Sequence, residues 1–318
     1  MITVSVPSEP VRAALGDVGA DVTVIAWNPA EDECPDGAAA EISVACIEHY
    51  SGGRRVFDRL AQLPRLEVVQ IPSAGYEHAL PFVPPGVALA NARGVHDSRV
   101  AEFAVGMALA HYRLMPRFWD AQSRGEWEPE YFNENLADKR ALVVGYGSIG
   151  SAIGARLRAM EVDVEGVART ARTAEDGTTV HAIADVRREL PRFDLVVVVT
   201  PHNPETDKLV GADFLAAMAD GALLINVGRG KCVDTDALLA ELDAGRLCAA
   251  LDVTDPEPLP AGHPLFSAPG CTIYPHISGG TPTTDRRYVG LVRRQIEAMR
   301  AGRPFENVVA VGPYESAE

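Results

Sequence analysis

The sequence predicts an α/β chain built from two doubly wound parallel sheets, with one domain inserted into the other. Three observations predict it. Short apolar runs alternate with helix-like segments, the pattern of buried parallel strands joined by crossover helices. The 318 residues exceed one average domain. A long apolar helical stretch, Ser98–Leu114, stands where a plain linker would otherwise separate the halves.

In the first part the strand candidates are Ile2–Val6, Val22–Ala26, Ile42–Cys46, Leu66–Ile71 and Val87–Ala90. In the second they are Ala141–Val144, Val162–Val167, Leu195–Val199, Leu223–Val227, Cys248–Asp252 and Thr272–Tyr274. Helical spacing of apolar residues is clearest at Val100–Leu114, Ile149–Met160, Asp236–Ala244 and Thr284–Arg300. Ser98–Leu114 leaves the first domain and enters the second, so the last helix has to pass back. The expected division is residues 1–96 plus 286–318 for a discontinuous first domain, and 97–285 for the inserted one. The polar tail Gly312–Glu318 is expected to fray.

The formal net charge of −15 argues against nucleic acid or an anionic membrane surface as the main partner, since both need clustered positive charge. A small anionic substrate stays compatible, because a single arginine in a dry cleft outweighs distant charges. Cys34, Cys46, Cys232, Cys248 and Cys271 are scattered and show no CxxC pair. They read as free thiols of a reducing compartment, with no structural zinc site and no metal. The first residues lack the basic and apolar pattern of a signal peptide, and no apolar run reaches membrane length, so the chain reads as cytoplasmic.

The strongest local motif is Gly145-Tyr146-Gly147-Ser148-Ile149-Gly150, between the strand Ala141–Val144 and a helix. Gly145 permits a tight turn, Gly147 lets backbone approach a pyrophosphate, and Gly150 lets helix and strand pack closely. The helix start adds free N–H groups and partial positive charge. This is a Rossmann dinucleotide signature. The next strand should end in an acid that binds the ribose of NAD. Ala168 stands there instead, followed by Arg169 and, further on, Arg172. An arginine at that place suits a 2′-phosphate, so NADP(H) is favoured over NAD(H), with Arg169 as main contact and Arg172 as helper.

Further blocks follow in order: Leu136–Arg140, Thr200–Thr206, Ile225–Gly230, Leu251–Leu259 and Tyr274–Gly280, with Ser73–Gly75 and Val100–Glu102 upstream. On these blocks the chain resembles the D-isomer-specific 2-hydroxyacid dehydrogenases, which include the glyoxylate/hydroxypyruvate reductases. The resemblance implies a Rossmann cofactor domain inserted into a flavodoxin-like substrate domain, and a homodimer. The helix face Val100, Phe103, Ala104, Met107 and His111 looks too apolar for solvent and is expected to form the dimer surface.

Arg229 follows an apolar strand in a Gly-Arg-Gly setting, at the end of a sheet where ligands bind. The flanking glycines are expected to open space around its guanidinium, whose fork can hold a substrate carboxylate and 2-oxo oxygen. Glu257 lies in a proline-flanked loop, and His276 follows another apolar run. A carboxylate beside a histidine favours the imidazolium and orients the ring. Such a histidine can protonate a ketone oxygen as hydride reaches carbon, and act as base in reverse. The resemblance implies these three roles for Arg229, Glu257 and His276. It also implies that Asp252 binds the nicotinamide amide, although a strand-end cap is its structural alternative. Thr200, Pro201, Val100 and Val227 are expected beside the cofactor, and the N–H groups of Ala74 and Gly75 are expected to hold the substrate carboxylate. Tyr50, Arg54, Arg55, Tyr76 and Trp127 are plausible pocket residues.

The reaction expected is hydride transfer between NAD(P)H and C2 of a small 2-oxo or 2-hydroxy acid. Alternatives on the same scaffold are an unusual substrate, such as a phosphonate-bearing oxo acid or phosphite, or a dinucleotide-sensing binding protein like the C-terminal-binding corepressors. Formate oxidation fits less well, because the formate enzymes of the family pair the histidine with glutamine.

Overall fold

The computed structural model describes residues 2–48, 53–129, 132–283 and 285–313. The chain forms two compact units, Met1–His96 with Thr281–Glu318, and Asp97–Gly280. The second crossing falls at Gly280 rather than at 285. Thr281 bonds the ring of His96 at 3.0 Å, and Thr283 bonds Glu48 at 3.1 Å, which ties both to the first unit.

The first unit is one six-stranded sheet. Its strands are β1 (Ile2–Val6), β2 (Val22–Ala26), β3 (Ile42–Cys46), β4 (Val68–Gln70), β5 (Ala88–Ala90) and a C-terminal strand, Val308–Val311. The order is C-terminal strand-β5-β4-β3-β1-β2, parallel except where the last strand meets β5. Without that edge strand the order is 2-1-3-4-5, the flavodoxin-like winding. β3 is buried at every residue, which is why it reads as an unbroken apolar run. Helices α1 (Glu9–Leu15) and α2 (Arg54–Leu60) and the C-terminal helix Arg286–Arg300 belong to this unit. The C-terminal helix buries Tyr288, Leu291, Val292, Gln295 and Ile296, the i, i+3, i+4, i+7, i+8 spacing of one face. Of the tail expected to fray, residues 314–318 lie outside the described residues, and Gly312 is held in place. It is buried, donates to Val87 O at 3.0 Å and accepts from Gly86 N at 2.7 Å.

The second unit carries an eight-stranded sheet. Helix α3 (Asp97–Tyr112) and helix α4 (Met115–Ser123) precede β6 (Arg140–Val144), α5 (Ser148–Ala159), β7 (Asp163–Ala168), β8 (Arg172–Thr173), β9 (Thr179–Ala182), β10 (Leu195–Val198), β11 (Leu223–Asn226), β12 (Cys248–Leu251) and β13 (Cys271–Ile273). The order is β13-β12-β11-β10-β6-β7-β9-β8, parallel except for the β8–β9 hairpin. Chain direction across the sheet reverses between β6 and β10, so their C-terminal ends form the topological switch point of a Rossmann sheet.

Helix α3 packs into its own unit. Val100, Ala104 and Met107 lie in the core of the second unit together with Ile153 and Leu157 of α5. Burial inside the unit accounts for the apolar character of these three residues, while Phe103 and His111 of the same face are only partly buried.

Candidate active site

The glycine turn sits at the switch point. Gly145 has φ +103°, and a Cβ there would lie 3.0 Å from Val199 and Thr200 backbone atoms, so β6 and β10 meet closely at their ends. A Cβ on Gly150 would fall 2.3 Å from the Gly145 carbonyl oxygen, whereas one on Gly147 would meet open space. No side chain caps the start of α5. An open Gly147 beside an uncapped helix start fits a pyrophosphate. The Ser148 hydroxyl donates to Asp97, and Ile149 packs on the core beneath. Tyr146 contributes only backbone here, since its side chain is buried at 2% exposure.

Beyond the turn, Ala168 ends β7 and Arg169 follows it, exposed. The Arg172 guanidinium donates to the Tyr146 carbonyl oxygen at 2.7 Å, which keeps it over the glycine turn. Thr200 is buried, Pro201 is exposed, and Val100 and Val227 line the adjoining core.

Arg229, Glu257 and His276 follow β11, β12 and β13, three neighbouring parallel strands, so all three leave the sheet at its C-terminal edge. The turn of Arg229 is locked by Asn226, whose amide donates to Arg229 O at 3.0 Å and accepts from Gly228 N at 3.1 Å. The guanidinium of Arg229 donates to Gly228 O at 2.7 Å. The flanking glycines do more than clear space for it. A Cβ on Gly228 would lie 2.7 Å from Thr200 O, and one on Gly230 would lie 1.9 Å from Thr254 O. Both residues let neighbouring backbone come close, and the second presses the arginine turn onto the loop that carries Glu257. Cys232, in the same turn, bonds Thr200, and burial pushes its thiol up despite those hydrogen bonds, so it stays an uncharged packing group.

His276 Nδ1 lies 2.5 Å from Glu257 Oε1. An ionised carboxylate only accepts, so Nδ1 donates and Nε2 is left for a reactant. The two side chains are 38% and 39% exposed, open enough for a small solute to reach them. His276 has φ +53°, a left-handed conformation. Asp252, 1% exposed, holds it there. Its carbonyl oxygen accepts from His276 N at 2.8 Å, and its carboxylate accepts from Ile277 N at 2.8 Å and from Ser278 N at 3.2 Å. Asp252 therefore caps this turn with both its carbonyl and its carboxylate.

In the first unit, Ala74 and Gly75 occupy a tied-down loop. Asn91 donates to Ala74 O at 2.6 Å and Ser73 to Gly75 O at 2.7 Å, so the carbonyl oxygens of this loop are tied internally. Arg54 pairs with Asp58 on α2, Tyr76 packs on the core, and Trp127 of the second unit is 94% exposed. Tyr50 lies outside the described residues. Sequence reasoning missed the cluster around Glu165, which accepts from Arg192 and bonds His181, both at 2.5 Å; the partners are spread along the chain and form no motif.

A glycine turn at the switch point and a histidine–carboxylate pair on the same sheet edge define a dinucleotide-dependent oxidoreductase. Comparison with known proteins gives the family. A model of the NAD-binding domain of D-isomer specific 2-hydroxyacid dehydrogenases matches residues 105–278. The chain is 30% identical over 316 residues to the glyoxylate reductase/hydroxypyruvate reductase of Homo sapiens, covering 96% of this chain and 95% of that one. Among solved structures, it is similar to a D-isomer specific 2-hydroxyacid dehydrogenase from Xanthobacter autotrophicus in complex with NADPH and MES, with TM-score 0.81, 28% identity, and coverage of 97% and 98%. It is also similar to the NADPH-dependent glyoxylate/hydroxypyruvate reductase from Sinorhizobium meliloti in complex with NADP and sulfate, with TM-score 0.80, 26% identity, and coverage of 97% and 98%. The chain belongs to the D-isomer-specific 2-hydroxyacid dehydrogenase family, and is an NAD(P)-dependent oxidoreductase of 2-oxo and 2-hydroxy acids. Among the described residues, no helix is long and apolar enough to cross a membrane.

Proposed function

We propose that this protein is a cytoplasmic, NADP(H)-preferring reductase of small 2-oxo acids such as glyoxylate and hydroxypyruvate, with His276 as general acid. The observation that carries the reading is the 2.5 Å contact between His276 Nδ1 and Glu257, on the sheet edge that also bears Arg229. The nicotinamide, when bound, supplies the hydride to C2 of the acid. The remaining chemistry belongs to the chain. Arg229 holds the substrate carboxylate and polarises the 2-oxo oxygen through its donor fork. His276 Nε2 delivers a proton to that oxygen as it becomes an alkoxide, and removes it in the oxidation direction. Glu257 orients the ring and balances the charge that His276 carries before it gives up its proton. No metal enters the proposal, because the Arg229 guanidinium supplies the positive charge that a developing alkoxide requires.

Several features support NADP(H). β7 ends without an acid, and Arg169 and Arg172 follow it. Solved relatives described as complexes with NADPH or NADP share the fold. A homodimer is part of the same proposal. Its surface is assigned to the groove beside α3 and α4, where Trp119 is 58% and Ile277 50% exposed. Sedimentation as a monomer would contradict it.

The test is a panel of glyoxylate, hydroxypyruvate, pyruvate, phenylpyruvate and phosphonopyruvate with NADPH and NADH, followed by the loss of reduced-cofactor absorbance. Turnover of glyoxylate or hydroxypyruvate with a kcat/KM preference for NADPH is expected. Turnover of none of them, with tight dinucleotide binding, would point to a binding protein instead.

A further inference from the structure

Tyr146 occupies the second position of the glycine turn, yet its side chain faces the protein interior. The ring lies between α5 and β7, in space left by two glycines. A Cβ on Gly154 or on Gly166 would come within 2.6 Å of its atoms. The phenol reaches the tip of the β8–β9 hairpin. Its hydroxyl donates to Asp176 Oδ2 at 2.9 Å and lies 3.0 Å from Thr178 Oγ1. With its only proton on Asp176, it accepts from Thr178. Arg158 of α5 closes the cluster, donating to Asp176 at 2.5 Å and to Thr178 at 2.8 Å.

The same residue grips the hairpin a second time. Its carbonyl oxygen accepts from Arg172, the first residue of β8. Tyr146 thus holds both the tip and the origin of the hairpin. Between β7 and β8 the chain has three residues, Arg169, Thr170 and Ala171. Ala168 is fixed in register with Ala182, and Arg172 with Val180. The short segment carrying Arg169 is therefore anchored at both ends, and the hairpin that holds its second end is tied at its tip by the Tyr146 hydroxyl together with Arg158. Ordering such a segment before a ligand arrives removes an entropy cost from binding.

We infer that Tyr146 is a positioning residue for dinucleotide selection, holding the Arg169–Arg172 segment ready for an adenosine 2′-phosphate. The inference rests on the NADP(H) preference proposed above. Phenylalanine at this position keeps the ring in its slot and removes only the hydroxyl. The experiment measures dissociation constants of wild type and Tyr146→Phe for NADPH, NADH, 2′,5′-ADP and 5′-AMP by calorimetry, with melting temperatures alongside. Loss of roughly tenfold in affinity for NADPH and 2′,5′-ADP is expected, with NADH and 5′-AMP changed by less than about twofold. Wild type binding NADH more tightly than NADPH overturns the cofactor reading and this inference with it. Wild type preferring NADPH, while Tyr146→Phe weakens all four ligands equally or none, overturns this inference alone. If Tyr146→Phe does not fold, Asp176→Asn, on the hairpin tip, carries the same readout.

Discussion

The amide of His276 donates to the carbonyl oxygen of Asp252 across 2.8 Å, so the acid at the end of β12 supports the backbone of the histidine after β13. Its carboxylate completes the clamp on Ile277 and Ser278. A left-handed residue other than glycine costs about 1 kcal/mol, and this clamp offsets it. Asp252→Ala leaves those two amides without their acceptor, at roughly 1–3 kcal/mol for the buried Ser278 amide. The variant is expected to melt several degrees lower and to lose kcat. Thermal unfolding and steady-state kinetics check this; an unchanged kcat would mean that the histidine keeps its place without the clamp.

The Arg229 turn is held by Asn226 and packed against Thr254, so the guanidinium is presented from rigid backbone. Arg229→Lys keeps the charge and loses the fork. On the order of a hundredfold loss in kcat/KM for glyoxylate is expected, as for breaking a bidentate charged pair. Kinetics with varied glyoxylate decide it. A lysine variant close to wild type would make the arginine a structural cation.

Gly230 tests the interlock directly, because a methyl group there would collide with the Thr254 carbonyl at 1.9 Å. Gly230→Ala is expected to cost roughly 1–3 kcal/mol or more, as overpacking does, and to displace Arg229 and the Glu257 loop together. A melting curve and a glyoxylate KM measured on the same preparation should both move.

Asp176 gives the account a pH dependence. Burial alone would push its carboxyl up. Hydrogen bonds from Thr178, Tyr146 and Arg158 outweigh that and bring it down from the ordinary 3.8 to about 2. A group whose folded value is depressed contributes stability above its unfolded value and loses it as pH falls through the folded one. Wild type is therefore expected to lose stability between about pH 4 and pH 2, and Asp176→Asn to lose less over that window. Urea denaturation across that range measures it. Parallel curves for the two proteins would remove Asp176 from the acid response.

Much of this fold is legible in the amino-acid sequence. Ile42–Cys46 and Leu195–Val198 are buried at every residue, so they stand out as unbroken apolar runs. The placement of Arg229, Glu257 and His276 beyond the C-terminal ends of β11, β12 and β13 is legible because each comes after such a run in a glycine- or proline-marked loop. The β8–β9 hairpin is not, since Arg172–Thr173 is short, polar and exposed. The Tyr146 cluster joins residues up to 32 positions apart, and no local pattern signals that. The apolar stripe of α3 is ambiguous in sequence, because burial within one unit and burial against a second copy leave the same pattern.

The central claim is that the imidazole of His276, held by Glu257, protonates the substrate oxygen. Its most direct test is kcat for glyoxylate reduction by His276→Ala, with NADPH binding titrated on the same sample by fluorescence. The account predicts a kcat lower by at least about a hundredfold while NADPH still binds. A variant that binds NADPH and turns over glyoxylate at close to the wild-type rate would contradict it.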